Sequence, residues 1–269
     1  MTEERENSTP RGKKLLAAVL LAALLCALAA KPAWYLWQEI SFPWKEHTQA
    51  EWTVKAYAEE KGIFYARYPR SLIDLLERNP ETEAFVLNYP FREEKPVDLS
   101  GYSREQGIPL FLQWDPQWGY EKYGSDFLAI TGCGPTCLSM AAYGLTGRED
   151  LDPAAVAAFA EKNGYYAEGY GSSWTLISQG AGKLGLNAKE LPLVKKKITT
   201  ALEEGKPVIL AMGPGDFTTT GHYILLWGVE EGGYRVNDPN SPENSGKLWT
   251  YEQLESQIRN IWAISVEEE

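Results

Sequence analysis

The second half of the chain changes from helical spacing of apolar residues to continuous apolar runs. Four segments carry apolar side chains three and four positions apart and are predicted as helices: 135–145, 154–163, 174–184 and 198–204. Three later segments are short apolar runs and are predicted as buried strands: 207–212, 222–229 and 234–237. The turn at 230–233 predicts that the last two strands pair as an antiparallel hairpin. Helices that precede strands indicate an α+β fold, in which N-terminal helices pack on an antiparallel sheet.

An apolar run near the N-terminus predicts a single membrane helix. Residues 15–30 are sixteen consecutive apolar residues. They span about 24 Å as a helix, and the aromatic residues within 34–37 extend the segment toward a hydrocarbon core of about 30 Å. The basic residues within 11–14 keep the preceding end in the cytoplasm. We therefore expect a cytoplasmic N-terminus over 1–14, a transmembrane signal-anchor over 15–37, and a single-pass protein of the cell membrane whose remainder is extracytoplasmic.

Two other interpretations of this segment also place the bulk of the protein outside the cytoplasm. Ala27-Leu28-Ala29 offers a small-residue cleavage site for a signal peptide, and cleavage there would produce a secreted protein. Cys26 is a weaker candidate for lipid attachment, because the bulky Leu24 and Leu25 precede it. Export is common to all three interpretations.

Residues 38–105 are predicted as a membrane-proximal extension that precedes a main domain at 106–266. Short helical segments at 72–78 and 81–87 lead into a polar connector at 92–107, which proline residues punctuate. The extension is either a free stalk or a segment that packs on the main domain.

The charge balance and the cysteine count exclude several classes of function. The chain has 269 residues, and 26 Lys and Arg against 37 Asp and Glu give a net charge of −11. Nucleic-acid binding is not expected, because the basic footprint that it requires is absent. Three cysteines and two histidines are too few for a disulfide framework or a multi-ligand zinc module. We expect no metal and no organic cofactor.

The few cysteines and histidines narrow the candidates for nucleophilic catalysis. Beyond the predicted membrane helix, the cysteines are Cys133 and Cys137 and the histidines are His47 and His222. His47 lies in a polar stretch close to the membrane segment, where we expect it to be solvated. A Cys–His pair within the main domain must therefore use His222.

The local sequence environment makes Cys133 a better candidate nucleophile than Cys137. Cys133 opens an apolar helix, where backbone N–H groups and the helix dipole favour a thiolate, and its neighbours Gly132 and Gly134 let a substrate backbone approach closely. Cys137 lies one turn further along among apolar residues, where a cysteine is usually a small core residue. A Cys133–Cys137 disulfide is an alternative, although helical positions four apart do not present its preferred geometry.

His222 and Asp238 are expected at the same end of the sheet. His222 begins one predicted strand and Asp238 follows the next, so the hairpin brings them together. A carboxylate there can hold an imidazole in the orientation that catalysis needs, and Asn237 is an alternative for this role. Asp238 also fits a simple turn. A further alternative is zinc bound by Cys133, Cys137, His222 and Asp238, although this is an unusual ligand set.

Three other residues are candidates for contact with a substrate. The side-chain amide of Gln113 could donate a hydrogen bond to an oxyanion, but local sequence does not distinguish that role from a surface glutamine. Trp174 either lines a substrate groove or packs in the core, and Gly221 is a second candidate for the groove.

These residues together resemble the papain-fold cysteine peptidases, and within them the stand-alone bacterial form of the bacteriocin-processing branch, which is peptidase family thirty-nine. The resemblance covers about residues 106–266. Five motifs carry it, in this order: Gln113-Trp114-Asp115, Gly132-Cys133-Gly134-Pro135-Thr136, Gly171-Ser172-Ser173-Trp174, Gly221-His222-Tyr223 and Asn237-Asp238-Pro239. The resemblance implies a papain-like fold with Cys133 as nucleophile, His222 as general base, Asp238 as the orienting carboxylate and Gln113 as oxyanion donor.

Two departures limit what this resemblance implies. In leader-processing enzymes the glutamine stands a few residues before the cysteine, whereas twenty positions separate Gln113 from Cys133. Those enzymes are also fused to an exporter and act in the cytoplasm, so cleavage of bacteriocin leaders is not the expected activity. We expect an exported, membrane-anchored peptidase that hydrolyses a peptide or protein substrate through a Cys-His-Asp triad. The alternatives are a non-catalytic surface module that binds peptide or wall material, and a peptidoglycan amidase or acyl transferase.

Overall fold

The computed structural model describes residues 32–42 and 46–266. The predicted cytoplasmic segment 1–14 and residues 15–31 of the predicted membrane helix lie outside the described residues. Across the part of the chain that is described, no helix combines the length and the apolar composition needed to cross a membrane.

The described residues form two compact units, which are divided between Glu77 and Arg78. The described part of the first unit is helical. Its helices are α1 at residues 32–41, α2 at Gln49–Glu60 and α3 at Arg70–Arg78, whose last residue lies past the boundary. A capping box explains where α2 begins, because the Thr48 hydroxyl accepts from the backbone of Glu51 while the Glu51 carboxylate accepts from the backbone of Thr48.

His47 belongs to the interior of the first unit, which corrects the expectation that it is solvated. Its side chain is only 6% exposed, and its ring stacks on that of Phe42 at 3.6 Å between centroids. Nδ1 lies 3.0 Å from Oε2 of Glu51 and Nε2 lies 2.7 Å from the carbonyl oxygen of Phe42. The polar sequence around His47 is misleading because these contacts satisfy both ring nitrogens inside the unit.

The second unit contains the remaining regular elements. Its helices are α4 Glu83–Asn88, α5 Leu128–Thr131, α6 Cys133–Thr146, α7 Pro153–Lys162, α8 Ala181–Lys183, α9 Lys195–Glu203, α10 Pro242–Ser245 and α11 Tyr251–Leu254. Its strands are β1 Lys122–Tyr123, β2 Asp126–Phe127, β3 Tyr166–Ala167, β4 Gly171–Ser172, β5 Leu186–Glu190, β6 Val208–Met212, β7 His222–Glu230, β8 Gly233–Asn237, β9 Leu248–Trp249 and β10 Ile258–Val266.

A six-stranded antiparallel sheet forms the centre of this unit. The strand order is β5-β10-β6-β7-β8-β9, and two small hairpins, β1-β2 and β3-β4, lie outside it. Both faces of the sheet are covered. Ile209 and Ala211 of β6 belong to the core that includes α6 and α7, whereas Val208, Leu210 and Met212 belong to the core that includes α9. Because side chains alternate between two buried faces, β6 reads as a continuous apolar run.

The predicted α+β architecture is confirmed, with some differences in its elements. The three predicted strands are found as β6, β7 and β8, and the predicted hairpin turn contains Gly232 at φ +101°. The predicted helix at 174–184 is a π-helical turn over Leu176–Gly180 that continues as α8. Sequence patterning did not predict β5, which is an edge strand with Lys189 and Glu190, or β10, whose apolar run is interrupted.

Residues 78–105 pack on the sheet domain within the second unit. The ring of Phe85 in α4 stacks on Tyr120 at 4.2 Å between centroids, and the Tyr120 hydroxyl donates to the carbonyl of Phe85 at 2.7 Å. Leu99 is 2% exposed and joins the core that contains α6. The hydroxyl of Tyr102 donates to Asp115 at 2.6 Å. This part of the predicted extension is therefore built into the domain that carries the candidate site.

Candidate active site

Cys133 is the first residue of α6, and its side chain is partly exposed. Gly132 at the N-cap has no side chain with which to cap the helix, and Pro135 in the first turn has no N–H to satisfy. The positive end of the 14-residue helix therefore points backbone N–H groups toward the sulfur and its surroundings. Cys133 and Cys137 are both free thiols, so the alternative disulfide is not formed.

His222, at the start of β7, bridges Cys133 and Asp238. Its Nε2 lies 2.7 Å from Oδ1 of Asp238, and the Cys133 thiol is within hydrogen-bonding reach of the same ring. Because Nε2 faces the carboxylate, Nδ1 is the ring nitrogen left for the sulfur. The residue is 8% exposed. The structure therefore brings together the sulfur and the imidazole that lie 89 positions apart in the sequence.

The surroundings of His222 favour its protonated form. Burial alone would lower its pKa, but the charge of Asp238 and the hydrogen bonds to Asp238 and Cys133 outweigh burial and raise the pKa to about 10. The environment of the neighbouring Cys137, in contrast, favours its uncharged form. Burial, together with the charges of Cys133 and Asp238, raises the pKa of the Cys137 thiol well above its ordinary value, which keeps it an uncharged core residue.

Asp238 is 1% exposed and accepts three hydrogen bonds. Its Oδ1 accepts from His222 and from the backbone N–H of Asn240 at 2.9 Å, and its Oδ2 accepts from Nδ2 of Asn244 at 2.9 Å. Asn237, the alternative partner for the histidine, instead donates its amide to the carbonyl of Ile108 at 2.9 Å. Sequence reasoning missed Asn244. The Ser241-Pro242 pair was an available signal for the start of the short α10, but nothing in the local sequence indicates that Asn244 binds Asp238.

Gln113 is 3% exposed, which excludes the alternative of a surface glutamine. Its backbone N–H donates to the carbonyl of Pro239 at 2.7 Å, and its Nε2 donates to the carbonyl of Ala129 at 2.7 Å. The first bond ties it to the chain beside Asp238, and the second ties it to the segment that leads into Cys133. Although twenty positions separate Gln113 from Cys133 in the sequence, the side-chain bond to Ala129 holds Gln113 against the segment that leads into Cys133.

The predicted groove residues occupy different environments. Gly134 is buried, and a Cβ there would lie 2.6 Å from Oγ of Ser172. A Cβ on the buried Gly132 would lie 2.4 Å from the carbonyl oxygen of Leu128, so close packing requires both glycines. Gly221 is exposed. Trp174 is 48% exposed, and its ring lies edge-on to that of Trp262. For all four predicted groove residues, contact with a substrate remains a prediction.

A buried hydroxyl network supports the N-terminus of α6 and was not predicted from the sequence. The hydroxyls of Tyr123 and Ser172 are 2.8 Å apart, and Tyr223 donates to the carbonyl of Ser172 at 3.2 Å. The two tyrosines lie close enough to Cys133 for its charge to act on them, and burial and that charge raise the pKa of Tyr223 far above its ordinary value. These tyrosines therefore stay neutral beside the sulfur.

Metal binding has no matching arrangement in the described part of the chain. Across residues 32–42 and 46–266, no three His, Cys, Asp or Glu side chains converge as metal ligands. The alternative zinc set of Cys133, Cys137, His222 and Asp238 is therefore not assembled as such.

Comparison with known proteins places this site in context. The model of the Peptidase C39 like family matches residues 105–268. No curated protein matches the chain. Solved structures that are similar to it include the following two. The first is the peptidase domain of Streptococcus ComA, described as a bifunctional ABC transporter involved in quorum sensing, with 20% identity over 52% of this chain and 93% of that chain and a TM-score of 0.38. The second is a C39-like peptidase from Bacillus anthracis, with 15% identity over 62% of this chain and 98% of that chain and a TM-score of 0.36.

Proposed function

Since the chain belongs to the Peptidase C39 like family, we propose that it is an exported cysteine peptidase that hydrolyses peptide bonds through Cys133, His222 and Asp238. One observation carries the proposal. A partly exposed thiol at a helix N-terminus lies within hydrogen-bonding reach of a histidine, which is hydrogen-bonded to a buried carboxylate. This is the nucleophile, base and orienting group that acyl transfer through a covalent intermediate requires.

The raised pKa of His222 sets the order in which the proton moves. The ring is protonated near neutral pH, and a cation beside a sulfur at a helix N-terminus stabilises the thiolate that attacks. The sulfur bonds to the carbonyl carbon of the scissile peptide. As the C–N bond breaks, His222 gives its proton to the leaving amine. The neutral ring then takes a proton from water, whose oxygen bonds to the thioester carbonyl, and the C–S bond breaks to release the acid.

Gln113 and the N-terminus of α6 are proposed to stabilise the oxyanion. One N–H of the Gln113 amide already donates to Ala129, which fixes the group and leaves its second N–H for a substrate oxygen. The opposite amide orientation would bring Oε1 against the Ala129 carbonyl, so it is disfavoured. The Oε1 of Gln113 is buried without a hydrogen-bond partner among the described residues.

The membrane attachment belongs to the proposal and is tested separately. We propose that residues 15–37 anchor the protein with its peptidase domain outside the cytoplasm, on the basis of their apolar run and the basic residues before it. The expected result is that the full-length protein sediments with membranes and that protease added to intact spheroplasts digests its peptidase domain. Recovery of protected protein in the cytosolic fraction would contradict the proposal.

The catalytic proposal is tested by selective alkylation. Purified full-length protein is treated with limiting iodoacetamide near neutral pH, and the modified cysteine is identified by peptide mass spectrometry. We expect rapid modification of Cys133 and no modification of folded Cys137, because only Cys133 is partly exposed and lies beside a cationic ring. A peptidyl electrophile should add one equivalent of mass, and unstructured peptides should be cleaved.

Two matched variants complete this test. Cys137→Ser should keep rapid alkylation and peptide cleavage, whereas Cys133→Ser should lose both while its melting temperature stays close to that of the native protein. A Cys133 that reacts no faster than a cysteine in an unfolded peptide would contradict the catalytic proposal. Groove binding of peptide without covalent labelling would instead identify a non-catalytic module.

A further inference from the structure

The loop that carries Asp238 is held by a segment that precedes the family match. Residues 105–268 match the family model, and Asn79 and Glu81 lie outside that range but make hydrogen bonds to residues 240–243. We propose that Asn79 and Glu81, here called the clasp, are positioning residues that fix the orientation of Asp238 against His222. This inference rests on the proposed function and extends it to residues outside the family match.

Asn79 is 9% exposed and uses both ends of its amide. Its Oδ1 accepts from the backbone N–H of Glu81 at 3.1 Å and so caps the turn over Pro80–Thr82. Its Nδ2 donates to the carbonyl of Asn240 at 2.7 Å and reaches Oδ1 of the same residue at 3.2 Å. The cap and the loop contact therefore use different atoms of one side chain and can be separated by mutation.

Glu81 holds the next part of the same loop. Its Oε2 accepts from the hydroxyl of Ser241, and its Oε1 accepts from the backbone N–H of Glu243 at 3.0 Å. Ser241 is the N-cap of α10, and its hydroxyl also accepts from the backbone N–H of Asn244 at 3.1 Å. Glu81 therefore anchors the short helix whose Asn244 side chain binds Asp238.

Two short paths connect the clasp to the carboxylate of Asp238. On the first, Asn79 holds the carbonyl of Asn240, whose backbone N–H donates to Oδ1 of Asp238. On the second, Glu81 holds Ser241, which caps the helix that carries Asn244 to Oδ2. Both carboxylate oxygens thus receive a donor from the held loop. Other bonds also reach this loop, including those from Nε1 of Trp114 to the carbonyl of Asn240 at 3.1 Å and from the backbone N–H of Gln113 to the carbonyl of Pro239 at 2.7 Å.

Loosening the clasp should act on His222 through Asp238. The ionisable groups that act on the His222 ring are Asp238, from the loop before α10, and Cys133, from α6. If the carboxylate moves away, its charge no longer offsets the effect of burial, and the pKa of His222 falls. The clasp should therefore determine the pH at which the cationic ring is lost, which a contribution to folding alone would not affect.

The test is the Asn79→Ser variant of the full-length protein, alkylated with iodoacetate and iodoacetamide across a series of pH values. Serine keeps the capping acceptor but cannot reach Asn240. Anionic iodoacetate senses the cationic ring, so its rate falls where the ring loses its proton, whereas iodoacetamide serves as the neutral reference. We expect this fall to occur at lower pH in the variant, and peptide cleavage to drop by about 2- to 30-fold.

A matched control separates positioning from general loss of an amide. Asn163 is exposed at the end of α7 and also donates its Nδ2 to a backbone carbonyl, that of Phe159 at 2.9 Å. Asn163→Ser should leave the iodoacetate profile unchanged. If Asn79→Ser folds and its profile coincides with that of the native protein, the inference is overturned while the proposed function stands. If Cys133 is unreactive in the native protein, the result contradicts the proposed function, on which the inference about the clasp rests.

A second variant keeps the inference testable if Asn79→Ser does not fold. Glu81→Gln preserves the size of the side chain and one acceptor oxygen, so it should weaken rather than remove the hold on Ser241 and Glu243. We expect a shift of the iodoacetate profile in the same direction as for Asn79→Ser, and smaller. A folded Glu81→Gln variant with the native profile would contradict the role of this half of the clasp.

Discussion

The two histidines of this chain have similar partners in two different regions. His47, in the first unit, and His222, in the second, are both largely buried and both contact a carboxylate, Glu51 at 3.0 Å and Asp238 at 2.7 Å. They differ in what faces the other ring nitrogen. His47 faces a backbone carbonyl and stacks on Phe42, whereas His222 has the Cys133 thiol within hydrogen-bonding reach.

This difference shows which feature points to chemistry. A buried histidine with a carboxylate partner is compatible with a purely structural role, because both ring nitrogens of His47 have a hydrogen-bonding partner within its own unit. Only a partner that can form a covalent bond turns the same arrangement into a candidate catalytic group. The His47 cluster therefore serves as an internal reference for the His222 site.

Replacing each histidine should give the largest contrast between the two regions. We expect His222→Gln to lower peptide cleavage by about 10²- to 10⁴-fold, because general acid–base transfer at the sulfur is removed. His47→Gln should leave the rate of Cys133 alkylation unchanged. The measurement is cleavage and iodoacetamide labelling of both folded variants. Equal effects of the two substitutions would mean that the Cys133 contact carries no special role.

Replacing each carboxylate should separate their electrostatic effects. Asp238→Asn removes the charge that opposes burial, so the pKa of His222 should fall from about 10 to below its ordinary 6.5. The fall in iodoacetate labelling should move to lower pH accordingly. Glu51→Gln provides the reference and should leave this profile in place. An unchanged profile in Asp238→Asn would contradict the assignment of Asp238 as the partner that keeps the ring charged.

The His222–Asp238 pair should also make stability depend on pH. The pKa of His222 is raised from 6.5 to about 10 in the folded state, so its contribution is fully present below pH 6.5 and is lost as the pH rises through about 10. We expect the melting temperature to fall across this window, and the His222→Gln variant to lack this part of the slope. A native slope in His222→Gln would assign the effect to other groups.

Glu51 should show a smaller effect with the opposite dependence on pH. Burial alone would raise its pKa, but hydrogen bonds from Thr48, His47 and Arg70 lower it, so its contribution is present above its ordinary pKa of 4.5 and is lost as the pH falls. Glu51→Gln should destabilise the first unit by about 1–3 kcal/mol, because buried donors lose their acceptor. Denaturant unfolding and proteolysis within residues 46–77 would measure this loss.

Sequence reasoning reached the part of the site that rare residue types define. Few cysteines and histidines were available, and the hairpin of β7 and β8 brings His222 and Asp238 to one end of the sheet. The start of α6 at Cys133 followed from its glycines and its apolar helical spacing. The spatial relation of these residues was therefore accessible from local patterns, while their catalytic roles stay predictions.

The rest of the site depends on contacts that leave no local pattern. Asn79 and Asn240 are 161 positions apart, and an asparagine in either place looks like ordinary turn chemistry. The burial of His47 was missed for the same reason, because its partner Phe42 and its own polar neighbours do not form a recognisable period. β10 was missed because polar residues at 259 and 260 interrupt its apolar run.

The hydrogen bonds from residues 79–81 to the Asp238 loop determine which fragments of the protein retain a complete site. A fragment trimmed to residues 105–268, the limits of the family match, would leave the Asn240 carbonyl without its asparagine donor and the Tyr120 ring without Phe85. Such a fragment would fold and still have low peptidase activity. An activity screen of relatives expressed with these boundaries would then score active enzymes as inactive. Cloning boundaries for relatives of this chain should begin no later than the equivalent of Arg78.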